Sequence, residues 1–305
     1  MTPEIIGIGM STVDHLYLLE DVSQLPGGQV LDHSIQGGGP CATAMAAVAV
    51  LGAPCGMIAC VGDDDCGTQA LDSLRAVGVD VSRSVVRRGG RTPMVMVLVE
   101  SRNGDRHFLA VAAEPPRLEL SEVDWDYVAG ARILHLDNWV EGPAAVIEKA
   151  HGLGPTISVD TNLSPGQYPD WLRHVDVFIG SADVRTARRD PDAALKEAES
   201  ISRHGPHTAI LTLGRDGCVG VGPDGPFRVP AFEVKVVDTC GTGDVFHGAY
   251  VYALNRGWRA RECAVFASAA AALSATKLGG RAGLASAAQV AQFLRERGCE
   301  GPWNQ

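Results

Sequence analysis

The sequence predicts an α/β protein in which a mainly parallel sheet is flanked by helices, with a second, smaller β-sheet beside it. First, from about Arg132 onward, short apolar runs typical of buried strands alternate with helical patterns. Second, polar residues follow the carboxyl ends of these runs, where open α/β sheets form their ligand clefts. Third, an Asn-Gly turn signal joins two alternating runs, 92–100 and 106–112, and predicts a hairpin outside the main sheet.

The predicted strands of the main sheet are short and are separated by helix-length segments. Helices are expected after Gly39, ending near Gly52, and after the acidic run 63–65, ending near Gly78. The small sheet would combine the hairpin with two short runs, His15–Leu19 and Val30–Ile35. The main-sheet candidates are Glu4–Gly9, Cys55–Gly62, Arg132–Leu136, Thr156–Val159, Val175–Ile179 and Thr208–Leu213, with a final β-branched run at 234–237.

Composition and charge argue against several classes of function. The chain has 305 residues, 46% of them hydrophobic, and 36 glycines, which suits one packed domain spanning residues 1–305. A net charge of −10 argues against nucleic acid or acidic membranes as partners. No apolar stretch suits a transmembrane helix, and Met1–Gly9 lacks the features of a secretory signal. Eight cysteines without C-x-x-C spacing indicate reduced thiols and a cytoplasmic location.

The stretch Val237–Ala249 carries the strongest chemical signal. Gly241 and Gly243 flank Thr242 just before a helix that is expected to begin near Asp244. Amides at a helix start lie at the positive end of its dipole, where phosphate groups bind, and glycine allows the ligand to approach closely. A carboxylate beside this anion site can take a proton from an attacking hydroxyl, which makes Asp244 a candidate general base. A structural helix cap is the alternative interpretation.

A second glycine-rich segment precedes a predicted helix in the N-terminal part. Gly37–Gly39 lead into an alanine-rich helix, so the backbone there is open to close approach by a polyol. Asp14 follows the first predicted strand and is a candidate for binding a substrate hydroxyl, or alternatively a turn or cap residue. Asp63–Asp65 could suggest a metal site, but capping of the following helix is the simpler explanation.

The string D-T-C-G-T-G-D-V-F at 238–246 resembles the C-terminal signature of the ribokinase-like, or phosphofructokinase-B type, carbohydrate kinases. The N-terminal half is similar too, with the glycine run, the small-residue helix, L-G-A and V-G-D-D-x-x-G in the family's order. This resemblance covers nearly the whole chain. It implies a three-layer α/β/α ribokinase-like core and ATP-dependent phosphorylation with Mg²⁺. It also implies that the small sheet, with strands at about 15–36 and 92–113, is a lid over the sugar and a possible homodimer contact.

The resemblance also assigns roles to individual residues. Asp244 would be the catalytic base, and the amides of 241–244 would hold the transferring phosphoryl group. The segment T-L-G-x-x-G at 212–217 would contact ATP, and the loop at 279–283 would hold a monovalent cation such as K⁺, or Arg281 would neutralise phosphate. The implied residues are Gly241, Thr242 and Gly243 for the anion hole, Thr212, Gly214 and Gly217 for the nucleotide, Asp14, Gly38, Gly39, Thr43 and Asn138 for the substrate, and Asp238 and Gly280 for the cation.

Two departures from the family pattern concern magnesium and the substrate. Many members carry N-x-x-E after the third strand of the C-terminal half, where this chain has S-A-D-V at 181–184. Asp183 or Asp160 could act through water instead, or ATP itself could hold most of the metal. The form G-G-G-P-x-A-T-A looks closest to the sulfofructose kinases, then to ketohexokinases and ribokinases. Asn138, however, stands where sulfofructose kinases use an arginine for the anionic group.

The sequence therefore predicts an ATP-dependent kinase of a small sugar or sugar derivative, in the ketose, sulfoketose or pentose class. Arg102 and Arg106 on the predicted hairpin could supply the missing positive charge, or could be solvated surface residues. A nucleoside kinase is one alternative, because the apolar hairpin strands could clamp a base. A non-catalytic sugar- or nucleotide-sensing protein is the alternative from another class, against which the intact G-x-G-D argues.

Overall fold

A computed structural model describes residues 3–25, 27–102, 104–110, 114–138, 140, 142–182 and 190–304. Within these residues, an eight-stranded central sheet is accompanied by a four-stranded sheet and a two-stranded sheet. The strands are β1 (Ile5–Ile8), β2 (Thr12–Leu19), β3 (Val30–Gly38), β4 (Cys55–Ile58), β5 (Cys60–Gly62), β6 (Val85–Arg87), β7 (Met94–Glu100), β8 (Arg106–Ala110), β9 (Ile133–Asp137), β10 (Thr156–Asp160), β11 (Val177–Ser181), β12 (Thr208–Thr212), β13 (Cys218–Gly222) and β14 (Gly225–Val229).

The central sheet has the order β14-β13-β12-β11-β10-β9-β1-β4. The six strands from β12 to β4 run parallel, whereas β13 and β14 form an antiparallel hairpin at one edge. The carboxyl ends of β1, β9, β10, β11 and β12 therefore share one edge, which is where a parallel sheet forms its cleft.

Helices cover both faces of this sheet. They are α1 (Pro40–Leu51), α2 (Asp65–Arg75), α3 (Trp125–Ala129), α4 (Pro143–His151), α5 (Pro191–Ser202), α6 (Thr242–Asn255), α7 (Ala260–Ser274) and α8 (Ala287–Glu296). They bury three apolar clusters: one contains residues of α6, α7 and α8, a second contains residues of α4 and α5, and a third contains residues of α1 and α2. Helix α1 packs directly on α6, where Gly248 lies so close to the Ala44 carbonyl that an added Cβ would overlap it.

The small sheet, ordered β3-β2-β7-β8, packs against loops of the C-terminal half. Its side chains Leu16, Val97 and Val99 form a buried cluster with Cys240 and Leu278. Burial of this face places the small sheet over the segments that flank α6 and follow α7. The two outer strands of this sheet, β3 and β8, carry large apolar side chains that are exposed, namely Val30, Leu31, Ile35, Phe108 and Leu109.

The predicted fold class is confirmed: a mainly parallel sheet lies between helical layers, with a separate small sheet. The strand predicted at 234–237 is wrong, because this segment is irregular and the last strand ends at Val229. Its amides at Val237 and Asp238 instead donate to the Ala275 carbonyl at the end of α7, at 2.8 and 3.2 Å. Because these two amides already have a carbonyl acceptor, they do not require hydrogen bonds to a neighbouring strand.

The single strand predicted at Cys55–Gly62 is in fact two strands in different sheets, β4 and β5. Between them, the Ala59 amide donates to Ser84 Oγ at 3.1 Å instead of joining the central ladder. The predicted hairpin exists as β7 and β8, but Asn103 and residues 111–113 lie outside the described residues. None of the described helices has the length and apolar character needed to cross a bilayer.

Candidate active site

The start of α6 is built to receive an anion. Gly241 is the N-cap with φ of +70°, a conformation that glycine adopts without strain. The amides of the first helical turn have no acceptor within the helix, and the helix dipole adds positive potential there. An added Cβ on Gly243 would meet nothing within 4 Å, so the space beside this turn is open. Gly241, Thr242 and Gly243 thus form a cradle of main-chain donors next to free volume.

Two loops are held together beneath this cradle. The buried carboxylate of Asp238 accepts hydrogen bonds from the Cys240 amide at 2.7 Å and from the Gly279 amide at 2.8 Å. An added Cβ on Gly241 would lie 2.6 Å from Gly280 Cα, so the two glycines are in contact. The structure therefore brings together Asp238 and Gly280, the two residues assigned to a monovalent cation, and that cation stays a prediction.

Asp244 lies in the first turn of α6, directly after the cradle. Burial raises the pKa of its carboxyl to about 7, and the negative charges of Asp160, Asp14 and Asp137 add to this effect while Arg106 opposes it. A carboxylate with a pKa near neutrality accepts a proton readily, and about half of it is present as the base at neutral pH. Asp244 therefore has both the position and the proton affinity of a general base.

Asp14 and the glycine segment form the opposite side of the site. Asp14 lies in β2, where Thr12 Oγ1 donates to its Oδ1 at 2.9 Å. Gly38 lies so close that an added Cβ would overlap the Asp14 carboxylate, and Gly39 begins α1 with φ of +91°. Burial raises the pKa of Asp14, whereas Thr12, Arg281 and His15 lower it. This carboxylate is placed to accept hydrogen bonds from hydroxyl groups of a ligand.

The two other residues assigned to substrate binding, Thr43 and Asn138, lie apart from each other, one in α1 and one after β9. Thr43 is buried in α1, and its hydroxyl accepts a hydrogen bond from Arg281 Nε at 3.3 Å. Asn138 is exposed after β9 and lines a cavity of about 380 Å³ together with Met10 and Ser11. Ser11 is 2% exposed, and its Oγ has no hydrogen-bond partner in the described part of the chain. The cavity therefore offers the side-chain amide of Asn138 to a polar ligand, whereas the Ser11 hydroxyl oxygen is buried in its wall.

The residues assigned to the nucleotide lie at the end of β12. Thr212 Oγ1 donates to the Gly180 carbonyl at 3.3 Å. Gly214 has φ of +61° and open space around it, as a ligand-facing glycine would. At Gly217, packing alone explains the glycine, because an added Cβ would collide with the Val229 carbonyl.

Sequence reasoning gave no role to two polar groups that shape the site, Asp137 and His247. Asp137 Oδ2 accepts from the Met10 amide at 2.8 Å and the Cys41 amide at 3.2 Å, so it ties the β9 end to the start of α1. His247, one turn after Asp244, places its Nε2 3.3 Å from Asp160 Oδ1. The i, i+3 spacing of Asp244 and His247 on one predicted helix was the available signal. Burial lowers the pKa of His247 to about 3 and raises that of Asp160 to about 7.

The two hairpin arginines behave differently. Arg102 is 59% exposed and pairs with Asp21 and Glu100, each at 3.1 Å, so it is a surface residue. Arg106 reaches the anion-binding loop, where it donates to the carbonyl and hydroxyl of Thr239. Thr239 Oγ1 in turn donates to the Gly104 carbonyl at 3.1 Å. The hairpin turn is therefore fastened to the loop that leads into α6.

Comparison with known proteins agrees with this arrangement. Residues 12–287 match the family described as pfkB family carbohydrate kinase, and the chain belongs to that family. It is 31% identical over 265 residues to the ATP-dependent ribose-1-phosphate kinase of Halopiger xanaduensis, covering 86% of this chain and 87% of that protein. It is 28% identical to the ribokinase of Haemophilus influenzae, covering 86% and 89%. Arabidopsis thaliana ribokinase, complexed with ribose and ATP, superposes with a TM-score of 0.79 at 20% identity, covering 97% and 99%.

The predicted family resemblance is therefore confirmed, and the protein is a phosphotransferase. Its coarse activity is ATP-dependent phosphorylation of a sugar or nucleoside. The candidate residues of the site come from both halves of the chain, since Asp14 and Gly38 lie between β1 and β4 of the central sheet and Asp244 follows its last strand.

Proposed function

We propose that this protein transfers the γ-phosphoryl group of ATP to a hydroxyl of a small sugar or sugar derivative, with Asp244 as the general base. The supporting observation is that Asp244 stands in the first turn of α6, directly after the main-chain donors of 241–243, and that Asp14 in β2 is close enough for its charge to act on it. A hydroxyl held by Asp14 would lie beside the base and beside the main-chain donors of 241–243. That is the arrangement an in-line phosphoryl transfer requires.

The proposed reaction proceeds with one proton transfer and one displacement. Asp244 takes the proton of the acceptor hydroxyl as its oxygen forms a bond to the γ-phosphorus. The bond between that phosphorus and the β,γ-bridging oxygen breaks, and ADP leaves. The amides of Gly241, Thr242 and Gly243 stabilise the negative charge on the transferring group. Contact of the small sheet with Thr239 and Cys240 excludes water and so suppresses ATP hydrolysis.

Magnesium fits this site as an ion carried mainly by the nucleotide. The described residues hold no cluster of three or more metal-ligating side chains. Asp160 is the described carboxylate next to Asp244 that could hold the ion through water, and Asp183 lies outside the described residues. Bound magnesium supplies charge neutralisation on the β- and γ-phosphates.

For the acceptor we propose the ketose, sulfoketose or pentose class. Asp14 suits neutral hydroxyls, and Asn138 in the cavity wall suits a further polar group. The relative that phosphorylates ribose 1-phosphate adds sugar phosphates to the candidates. A nucleoside is the second candidate, favoured by the apolar walls of the 380 Å³ cavity, which include Pro93, Pro116 and Leu118.

The test is ADP formation with ATP, Mg²⁺ and a panel of acceptors, each with and without potassium. The panel contains ketoses, ribose, ribose 1-phosphate, a sulfoketose, polyols and nucleosides. We expect one sugar-type acceptor to be preferred. Preference for a nucleoside would select the second candidate, and tight binding of one compound without turnover of any would indicate a sensing protein.

The pH dependence of kcat/KM for the acceptor should show an acid limb near pH 7. Asp244 must be unprotonated to act as base, and its pKa of about 7 means that activity falls as the pH drops through that value. The measurement is kcat/KM from about pH 5 to about pH 9 at saturating ATP. An acid limb near the ordinary aspartate pKa would contradict the proposed environment of Asp244.

Asp160→Asn provides a control for this profile. Removing the negative charge of Asp160 lowers the pKa of Asp244, so the acid limb should move to lower pH. An unchanged limb would show that the two carboxyl groups titrate independently.

Gly241→Ala should lower kcat by about 100-fold, comparable to the loss of one oxyanion donor. The added methyl would be strained at φ of +70° and would press on Gly280 Cα, so the cradle must move. Gly142→Ala is the matched control: Gly142 is the N-cap of α4 with φ of +62°, and an added Cβ there meets open space. Loss of activity in both variants alike would assign the effect to backbone strain alone.

Four parts of the proposal stay predictions. We propose a cytoplasmic location, a homodimer through the small sheet, a monovalent cation at Asp238 and Gly280, and a sulfoketose among the acceptors. The exposed apolar side chains on the outer strands β3 and β8 of the small sheet support the dimer. Sedimentation and the potassium arm of the acceptor panel test the dimer and the cation.

A further inference from the structure

Arg281 is a half-buried residue whose guanidinium joins four segments of the acceptor side. Its Nε donates to Thr43 Oγ1 at 3.3 Å, and its terminal nitrogens donate to Ser73 Oγ and to the Gly38 carbonyl, each at 2.9 Å. Its own amide donates to Gln36 Oε1 at 3.1 Å. The loop after α7 is thereby fixed to β3, α1 and α2.

These hydrogen bonds all go to neutral oxygens, although the side chain is charged. A buried charge without a counter-charge is strongly destabilising, so nearby carboxylates must compensate it. Asp14 and Asp244 are the acids whose charges act on this guanidinium, and burial lowers its pKa to about 10. The group therefore keeps its proton at neutral pH, and the charges of both carboxylates of the proposed reaction act on it.

The glycine segment is shaped around this arrangement. An added Cβ on Gly37 would overlap the Arg281 guanidinium and Ser73 Oγ, and one on Gly38 would overlap the Asp14 carboxylate. Two adjacent glycines thus let the backbone pass between the cation and the acid. The Gly38 carbonyl faces Arg281, and its Cα faces Asp14.

We propose that Arg281 is a positioning residue of the acceptor site: its hydrogen bond to the Gly38 carbonyl fixes the glycine segment against the Asp14 carboxylate, and its guanidinium supplies positive charge on that side of the site. This inference rests on the proposed function, because it assigns Asp14 to the acceptor. In this proposal Arg281 acts on the acceptor side of the site. It does not bind the transferring phosphate.

The kinetic test compares Arg281→Met with Arg281→Lys. Arg281→Met should raise KM for the acceptor by about 10-fold or more while KM for ATP changes by less than about twofold. Its acid limb in kcat/KM should shift to higher pH, since Asp14 and Asp244 lose a positive neighbour while His15, Asp160, Asp137 and Arg106 stay in place. Arg281→Lys keeps the charge and should restore the limb, but only part of the affinity.

Two controls separate charge from anchoring. Ser73→Ala removes one hydrogen bond and leaves the charge, so it should leave the acid limb unchanged. Arg75→Met removes an exposed arginine of the same helix, which pairs with Asp72, and should leave all kinetic constants unchanged. A raised KM for ATP with an unchanged acceptor KM would overturn the proposal in favour of phosphate binding. An unshifted limb in Arg281→Met would reduce Arg281 to a structural residue.

A second experiment needs no substrate. In a double-mutant cycle, the free energy of unfolding is measured for the wild type, Asp14→Asn, Arg281→Met and the double variant. At neutral pH, Arg281→Met should destabilise the wild type more than it destabilises the Asp14→Asn background. This coupling should vanish in acid that protonates Asp14, and additivity at neutral pH would overturn the proposal. If no acceptor is phosphorylated, the proposed function fails, and this cycle still decides the role of Arg281.

Discussion

Asp244→Asn is expected to lower kcat by about two to four orders of magnitude, the usual contribution of a general base. Asparagine keeps the size of the side chain but cannot take the proton of the acceptor hydroxyl. Binding of ATP and of the acceptor, measured by calorimetry, should change by less than about twofold, because the cradle and Asp14 are untouched. Retention of most of the turnover would remove Asp244 from the role of base.

The same substitution should raise thermal stability. Burial raises the pKa of Asp244 in the folded state, so the stability contributed by this group is present at low pH and is lost as the pH rises through about 7. Replacing the carboxyl by a neutral amide removes that loss at neutral and higher pH. Asp65→Asn is the matched control, since Asp65 is an exposed acid in the first turn of α2. An inactive but destabilised Asp244→Asn protein would point to misfolding instead of lost chemistry.

Asp14→Ala is expected to raise KM for the acceptor by about 10- to 100-fold, because hydrogen bonds to a charged group are each worth about 1.5–3 kcal/mol. KM for ATP should stay within about twofold of the wild-type value. The proposed nucleotide contacts follow β12 of the central sheet, whereas Asp14 lies in β2 of the small sheet. Initial rates with each substrate varied in turn provide the measurement.

Asp32→Ala is the control for Asp14→Ala. Asp32 is an exposed acid on β3 in the same small sheet, and its replacement should leave both KM values unchanged. Equal increases of the two KM values in Asp14→Ala would place Asp14 outside the acceptor site.

The sequence predicted the parallel part of the fold because its strands are continuous apolar runs with polar ends. It did not predict β13 and β14, whose glycine-rich pattern, including Gly220, Gly222 and Gly225, resembles a loop. It also placed a strand at 234–237 from β-branched residues alone. Tertiary contacts override that propensity there, since Val237 packs under the small sheet and its amide bonds to α7.

Local motifs predicted the parts of the site that a single segment builds, such as 241–244. Side-chain pairs that join distant segments were not predictable in this way. Asp160 and His247 come from β10 and α6, and Arg281 meets Thr43 and Ser73 from two other helices. Such contacts depend on topology, which spacing along one sequence does not contain.

The direct packing of α1 on α6 has a consequence for how the site can change. Gly39 is the N-cap of α1 and Gly241 is the N-cap of α6. These two helices are in contact where Gly248 packs against Ala44. A bulkier residue at position 248 would push the acceptor side and the phosphate side apart without touching either. Substrate preference can instead be redesigned in β2, β7 and the segments after β1 and β9, where substitutions leave the distance between α1 and α6 unaltered.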